Sequence, residues 1–165
     1  MSLVQRRGFF AGLEAAMVVS LLMVLGRAAG LAINLELALG ALVTGGEGLG
    51  TWMLGFGLHL ALGGLMGQLY LLLLERTMPR RDVLAGLYLG MVHAMPAGFL
   101  LGALDGLVPR LPAVPPMGPF LSALGPRGVI GFFLLHAVFG VVVVEVLGRR
   151  SNLAGALRDV SAESR

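Results

Sequence analysis

Three histidines are the residues of this sequence best suited to chemistry: His59, His93 and His136. Each lies within a long apolar segment, where an ionisable side chain is costly and is expected to have a function or a partner. Imidazoles from several helices can hold a haem iron, bind a metal ion or pass protons. They can also join neighbouring helices by hydrogen bonds, which is their simplest role in such segments. The sequence has no cysteine, so thiolate catalysis and disulfides are excluded.

A few other polar side chains interrupt the apolar segments. Glu14 is the strongest candidate, because it lies too far from the end of its segment to reach water easily. Asp105 and Glu145 lie nearer to segment ends, and Gln68 adds an uncharged polar group. The histidines together with a carboxylate such as Glu14 could bind a zinc-like or copper-like ion, or form a proton path. No nucleophile–base pair, phosphate-binding loop or dinucleotide fingerprint is present, so the sequence does not predict an enzyme.

The composition places these residues in a membrane. Hydrophobic residues make up 57% of the 165 residues and charged residues 13%, whereas a soluble domain has about 25% charged residues. A helix that crosses a bilayer needs about 20 apolar residues. Four segments of the sequence qualify: about 8–26, 51–74, 83–104 and 128–148. We therefore predict an all-α integral membrane protein, with a bundle of four transmembrane helices forming one membrane domain over residues 1–165.

The arginines predict the direction of the helices. They cluster before the first segment, between the second and the third, and after the fourth: Arg6, Arg7, Arg76, Arg80, Arg81, Arg149, Arg150, Arg158 and Arg165. Positively charged flanks of transmembrane helices stay in the cytoplasm. Both termini are therefore expected in the cytoplasm, with the protein in a bacterial inner membrane. The net charge of +3 gives no reason to expect nucleic acid as a partner.

The two links on the opposite side differ in composition. Residues 28–43 are apolar apart from Asn34 and Glu36, which predicts a helix at the membrane interface or a continuation of the first span. Residues 109–126 contain six prolines, which predict a stiff extended loop. That loop could be a spacer or a docking segment for a partner.

The sequence contains signs of an internal duplication. An offset of 74 places Arg6 on Arg80 and Ala11-Gly12-Leu13 on Ala85-Gly86-Leu87, and an offset of 77 places His59 on His136. We predict two tandem two-helix repeats, about 6–76 and 80–150, related by a pseudo-two-fold axis along the membrane normal. Chance similarity in a sequence rich in Leu, Gly and Ala is the alternative.

Small residues recur at four-residue spacing in the apolar segments. Such spacing places them on one face of a helix, where they allow two helix backbones to approach closely. The glycines predicted to lie at helix contacts are Gly63, Gly67, Gly86, Gly90, Gly98, Gly102 and Gly140. They could serve packing within the bundle or contacts with another subunit.

The small size, the four spans, the Arg-Arg-x3-Ala-Gly-Leu opening and the Leu-His-x3-Gly elements resemble uncharacterised glycine-rich bacterial four-helix membrane proteins. The resemblance covers nearly the whole chain. It implies an inner-membrane helical bundle and supplies no functional residues. The likeness to dihaem four-helix cytochromes is only general, since the chain lacks the additional histidine pair that two haems need.

The function is expected in one of two classes. The first is an accessory subunit, or a component that handles small solutes or protons, with the bilayer, other membrane subunits or a second copy as partners. The second is an electron-transfer subunit that binds haem b or a metal ion. In that case His59 and His136 are the expected ligands and His93 is a further candidate.

Overall fold

A computed structural model describes the chain over residues 3–77 and 82–163, with side chains described over 5–77 and 82–149. This part of the chain is all-helical. Its elements are α1 (Leu3–Ala28), α2 (Leu35–Thr44), α3 (Leu49–Thr77), α4 (Val83–Leu104), a 3-10 helix (Pro119–Leu124) and α5 (Gly125–Glu163). Arg80 and Arg81, on which part of the predicted orientation and duplication depends, lie outside the described residues.

Four of these helices are long and apolar enough to cross a membrane: Gln5–Ala28, Leu49–Thr77, Val83–Leu104 and Pro119–Arg149. They confirm the prediction of a four-helix membrane-type bundle. Most of their ends extend a few residues beyond the predicted segments, because polar residues at the ends of an apolar run still continue the helix. α4 coincides with its predicted segment, and the Asp82 side chain caps its start by accepting a hydrogen bond from the backbone N–H of Ala85.

The helices pack as two hairpins, α1 with α3 and α4 with α5. Glycines lie at the closest approaches. In the first hairpin Gly12 of α1 meets Gly63 and Gly67 of α3. In the second, Gly86 of α4 meets Gly140 of α5. Since a glycine has no side chain, the facing backbones come into direct contact at these points.

α2 is not a continuation of the first span. The chain turns back after α1, and α2 runs antiparallel along α3. Glu36 lies against Gly55, and Gly40, one turn later, lies against Thr51. The helix is apolar and buried on this face, so it is a part of the bundle. The link between α1 and α3, which contains α2, and the link after α4 lie at the same end of the bundle. We call this end the loop end.

The link after α4 also folds back onto the bundle. Asp105 holds it in place, since its carboxylate accepts hydrogen bonds from the backbone N–H groups of Met117 and Gly118. The predicted extended loop therefore holds for only part of residues 109–126, because Pro119 begins a 3-10 helix at a position where a missing N–H is tolerated. The two links meet where the backbone N–H of Ala113 donates to Glu47, 3.2 Å away.

Phe120 of the 3-10 helix joins this link to α4 and α5. Its φ of 56° lies in the left-handed region, which is costly for a bulky residue. The conformation places its ring against Gly98 and among Phe99, Phe132 and Phe133. Burial among these aromatic side chains compensates for the backbone strain.

Candidate functional site

A cavity of about 510 Å³ lies between the two hairpins. This volume is within the range of about 300–1,000 Å³ that is usual for small-molecule sites. Aliphatic and aromatic side chains from both hairpins and both links form most of its wall. The polar side chains among its lining residues are His59, His93 and His136. We call this space the histidine cavity.

His136 has a defined hydrogen-bonding state. Its Nδ1 lies 2.8 Å from the backbone carbonyl oxygen of Phe132, one turn earlier in α5. A carbonyl oxygen only accepts, so Nδ1 carries the hydrogen. In the neutral ring Nε2 then bears a lone pair and is a hydrogen-bond acceptor. The Phe132 ring, with its centroid 4.2 Å away, holds the imidazole from the side.

His93 lies beside His136 and connects α4 to the other hairpin. The two ring centroids are 5.0 Å apart, and the rings are inclined by 73°. The Nδ1 atom of His93 is 3.3 Å from the hydroxyl oxygen of Tyr70, a buried residue of α3. Phe139 makes edge contacts with both Tyr70 and His93. One aromatic cluster therefore sets the positions of two of the three imidazoles.

His59 completes the set from α3. Its Nδ1 lies 2.9 Å from the hydroxyl oxygen of Ser20 in α1. All three rings thus use Nδ1 in a hydrogen bond inside the protein, and Nε2 is the nitrogen left for a ligand. The structure brings the three predicted histidines to one cavity, with His93 and His136 in ring contact.

An ion pair that the sequence did not predict lies next to the cavity. The Glu36 side chain is 0% exposed, and its Oε2 is 3.2 Å from a guanidinium nitrogen of Arg27. The same nitrogen donates to the carbonyl oxygen of Ile33 at 2.8 Å. Ile33 and Leu35 line the cavity, so the ion pair holds the folded-back segment that forms part of its wall.

Glu36 has a further property that concerns the site. Its Oε1 is buried and has no hydrogen-bond partner among the described residues. The carboxylate is also near enough to His59 for the two groups to interact electrostatically. A signal for this role was present in the sequence: an acidic residue in an apolar stretch, nine residues after Arg27. A buried carboxylate needs such a cation.

The other polar candidates lie away from the histidine cavity. Glu14 is half-buried on α1, and it is not among the lining residues. The Gln68 amide donates to a backbone carbonyl of α1 at 3.4 Å. Asp105 holds the link after α4, as described above. Glu145 is 4.0 Å from Arg149, one turn later in α5, in a partly exposed ion pair.

The predicted packing glycines all lie against another segment of the chain. Five of them, Gly63, Gly67, Gly86, Gly90 and Gly140, are at the contacts within the hairpins. Gly98 and Gly102 lie against Phe120 and Pro119 of the 3-10 helix. These glycines therefore face the inside of the bundle.

The polar groups of the histidine cavity are suited to hydrogen bonding with an organic molecule. Among the described residues, no group of three or more His, Asp or Glu side chains is arranged to hold a metal ion. Three Nε2 atoms in an apolar space can instead make hydrogen bonds that are strengthened by the absence of water. No family model, curated protein or solved structure matches the chain, so the function is inferred from this geometry.

Proposed function

We propose that this is a small-molecule-binding membrane protein whose ligand occupies the histidine cavity. The observation that carries the proposal is the meeting of three imidazoles from three helices in one otherwise apolar cavity. Ligand sites combine apolar walls with a few polar groups in this way, the walls giving affinity and the polar groups fixing orientation. The proposal belongs to the class of small-solute-handling components expected from the sequence.

His136 selects the kind of polar group that the ligand carries. Its Nε2 is an acceptor, because Nδ1 donates to the carbonyl oxygen of Phe132. The ligand therefore carries a hydroxyl group or another hydrogen-bond donor. An apolar molecule that lacks a donor leaves this nitrogen buried and unpaired, which costs about 1–3 kcal/mol.

The inward direction of the glycines favours this function over that of an accessory subunit. A subunit that docks through its glycine faces needs these faces on its surface. Here the seven glycines predicted to lie at helix contacts are used for contacts inside each hairpin and against the 3-10 helix. The outward faces carry large apolar side chains, such as Leu84 and Phe99, which suit contact with lipid.

An internal duplication is part of the proposal, and two equivalent contacts support it. Gly12 meets Gly63 in the first hairpin, and Gly86 meets Gly140 in the second. The sequence offsets of 74 and 77 pair these same residues, Gly12 with Gly86 and Gly63 with Gly140. The halves then each supply one equivalent histidine to the cavity, and His93 has Val19, another lining residue, as its counterpart.

The bacterial inner membrane and a periplasmic loop end complete the proposal. The arginine distribution supports this orientation. Because the natural sequence has no cysteine, single cysteines report the side directly. In spheroplasts a membrane-impermeant maleimide should label Leu107→Cys at the loop end, and Arg76→Cys only after permeabilisation. The reverse labelling pattern would contradict the proposed orientation. It would not bear on the proposal that the cavity binds a ligand.

A pair of matched probes tests ligand binding. 4-Propylphenol has a donor hydroxyl, and its methyl ether, 4-propylanisole, has none. With ¹⁵N-histidine-labelled protein in nanodiscs, the phenol should shift the His136 Nε2 resonance saturably as its mole fraction in the lipid rises. The ether should bind about 5- to 150-fold more weakly, which corresponds to the cost of about 1–3 kcal/mol for leaving Nε2 buried and unpaired.

The control variants separate the cavity from the lipid-facing surface. His136→Phe keeps an aromatic ring but removes the acceptor, so it should abolish the preference for the phenol over the ether, observed through His93. Leu134→Phe adds a ring to the exposed face of the same helix and should leave the preference unchanged. Equal binding of phenol and ether by the natural protein, or no saturable shift for either, would overturn the proposal.

A haem-binding function is the second candidate, and one observation favours it. His59 and His136 both line the cavity and use Nδ1 in other hydrogen bonds, so both have Nε2 free for an axial ligand position. A visible absorption spectrum of the purified protein distinguishes the two functions. A Soret band that disappears in His59→Ala and in His136→Ala would establish haem binding in place of the phenol-type site.

A further inference from the structure

The wall of the histidine cavity is incomplete between α3 and α4. The backbones of these two helices lie largely apart, although Tyr70 and His93 bridge them at one level. Leu65 of α3 and Leu100 of α4 both line the cavity, yet they are 57% and 62% exposed. A side chain that lines a cavity and is also exposed lies at its opening. In helices that cross a membrane, this opening faces lipid.

We propose that the ligand is a single-chain amphiphile of the bilayer, which enters between α3 and α4 and leaves its tail in the lipid. This inference rests on the proposed ligand-binding function and adds the class and the route of the ligand. Its head carries a hydroxyl or acid hydrogen that reaches His136, and its tail passes the leucines of the opening.

Two features favour an amphiphile over a molecule from water. First, both links fold back over the loop end, where Ile33 and Leu35 from one link and Met117 and Leu121 from the other line the cavity. This apolar cover separates the imidazoles from that aqueous side. Second, the volume of about 510 Å³ suits a head group and a short piece of chain, and the lateral opening provides for the rest of the tail.

Phenols with the same head and different tails test the inference. 4-Propylphenol is small enough to be enclosed, whereas the chain of 4-pentadecylphenol must extend out of the cavity. The affinity of each phenol is measured as its mole fraction in lipid that half-saturates the His136 shift. If the tail stays in the bilayer, the affinities of the two phenols should differ by no more than about twofold.

Obstruction of the opening should affect the long tail more than the short one. Leu65→Trp should weaken 4-pentadecylphenol by about tenfold, equivalent to about 1.4 kcal/mol, and weaken it by a clearly larger factor than 4-propylphenol. Leu100→Trp, on the other side of the opening, should act in the same way. With two independent variants, the test still works if one of them does not fold. Leu54 lies on α3 outside the cavity lining, so Leu54→Trp should leave the binding of both phenols unchanged.

The outcomes separate this inference from the proposed function. If the short phenol binds and the long one is excluded from the natural protein, the cavity is closed to lipid and the inference is wrong, but the proposed function stands. Equal weakening of both phenols by the tryptophans at the opening also contradicts a lateral path. If neither phenol binds, the proposed function itself fails.

Discussion

Adding one methyl group at a buried glycine should show how closely the hairpins are packed. A Cβ atom at Gly67 of α3 would meet the backbone of Gly8 and Gly12 far inside van der Waals contact. Forced overpacking costs about 1–3 kcal/mol. Alanine recovers about 0.5–1 kcal/mol through its higher helix propensity. The net destabilisation of Gly67→Ala is therefore expected to be up to about 2.5 kcal/mol.

A matched control in the same helix removes the propensity contribution. A Cβ atom at Gly57 has no heavy atom within 4 Å. Gly57→Ala should therefore be neutral or stabilising, and it should exceed Gly67→Ala in stability by about 1–3 kcal/mol. The second hairpin offers the same comparison in α5. Gly140 meets the backbone of Gly86, whereas Gly131 has open space within 4 Å.

The assay is unfolding in mixed detergent micelles, followed by the fluorescence of Trp52, the one tryptophan of the sequence. This side chain stacks on Phe56 within α3, with the ring centroids 5.3 Å apart. Equal stabilities of Gly67→Ala and Gly57→Ala would refute the reasoning, since they would mean that the hairpin relaxes without cost. If Gly67→Ala lowers the stability and Gly140→Ala does not, only the first hairpin is closely packed.

Two further predictions concern the folded-back links. Arg27→Met leaves the buried carboxylate of Glu36 without its cation and should destabilise the protein by about 3 kcal/mol, the lower end of the range for such pairs because the Arg27 side chain is 24% exposed. Adding Glu36→Gln should restore most of the loss in the same unfolding assay, and a double variant as unstable as Arg27→Met would contradict this explanation. Asp105→Ala should cost about 1–3 kcal/mol and speed amide hydrogen exchange at Met117, because it removes the acceptor that holds the link. Glu145→Ala, which breaks only a partly exposed ion pair, should change stability by less than about 1 kcal/mol, and a comparable loss there would argue against a special role for Asp105.

The four spans could be predicted from the sequence because their hydropathy does not depend on how the helices are rotated. The folded-back links could not. The apolar composition of residues 28–43 suits a continuation of the first span as well as a helix folded back on α3. The contact that decides between them joins Gly40 to Thr51 and Glu36 to Gly55. It depends on tertiary packing, which a pattern within one segment does not contain.

The meeting of the histidines was predictable only in part. The sequence offset placed His59 and His136 at equivalent positions, but not the direction in which each side chain points. That direction follows from the rotation of the helices, which is set where glycines such as Gly63 and Gly140 meet the facing helix. His93 had no equivalent histidine in the first half, and its position beside His136 follows from Tyr70 and Phe139.

The distribution of side-chain sizes explains why the cavity forms between the hairpins. Within each hairpin, glycines such as Gly12 and Gly86 allow backbones to touch, so no space is left there. Between α3 and the second hairpin the contacts are made by large side chains, including Tyr70 and Phe139. Bulky groups hold helices apart and fill the space only where their shapes match, so a gap persists beside them. His59 and His136 each lie one turn before a helix contact, at Gly63 and Gly140, and His93 lies less than one turn after the contact at Gly90. Close packing within the hairpins and loose packing of α3 against α4 and α5 therefore produce an apolar space with imidazoles at its wall and an opening toward lipid.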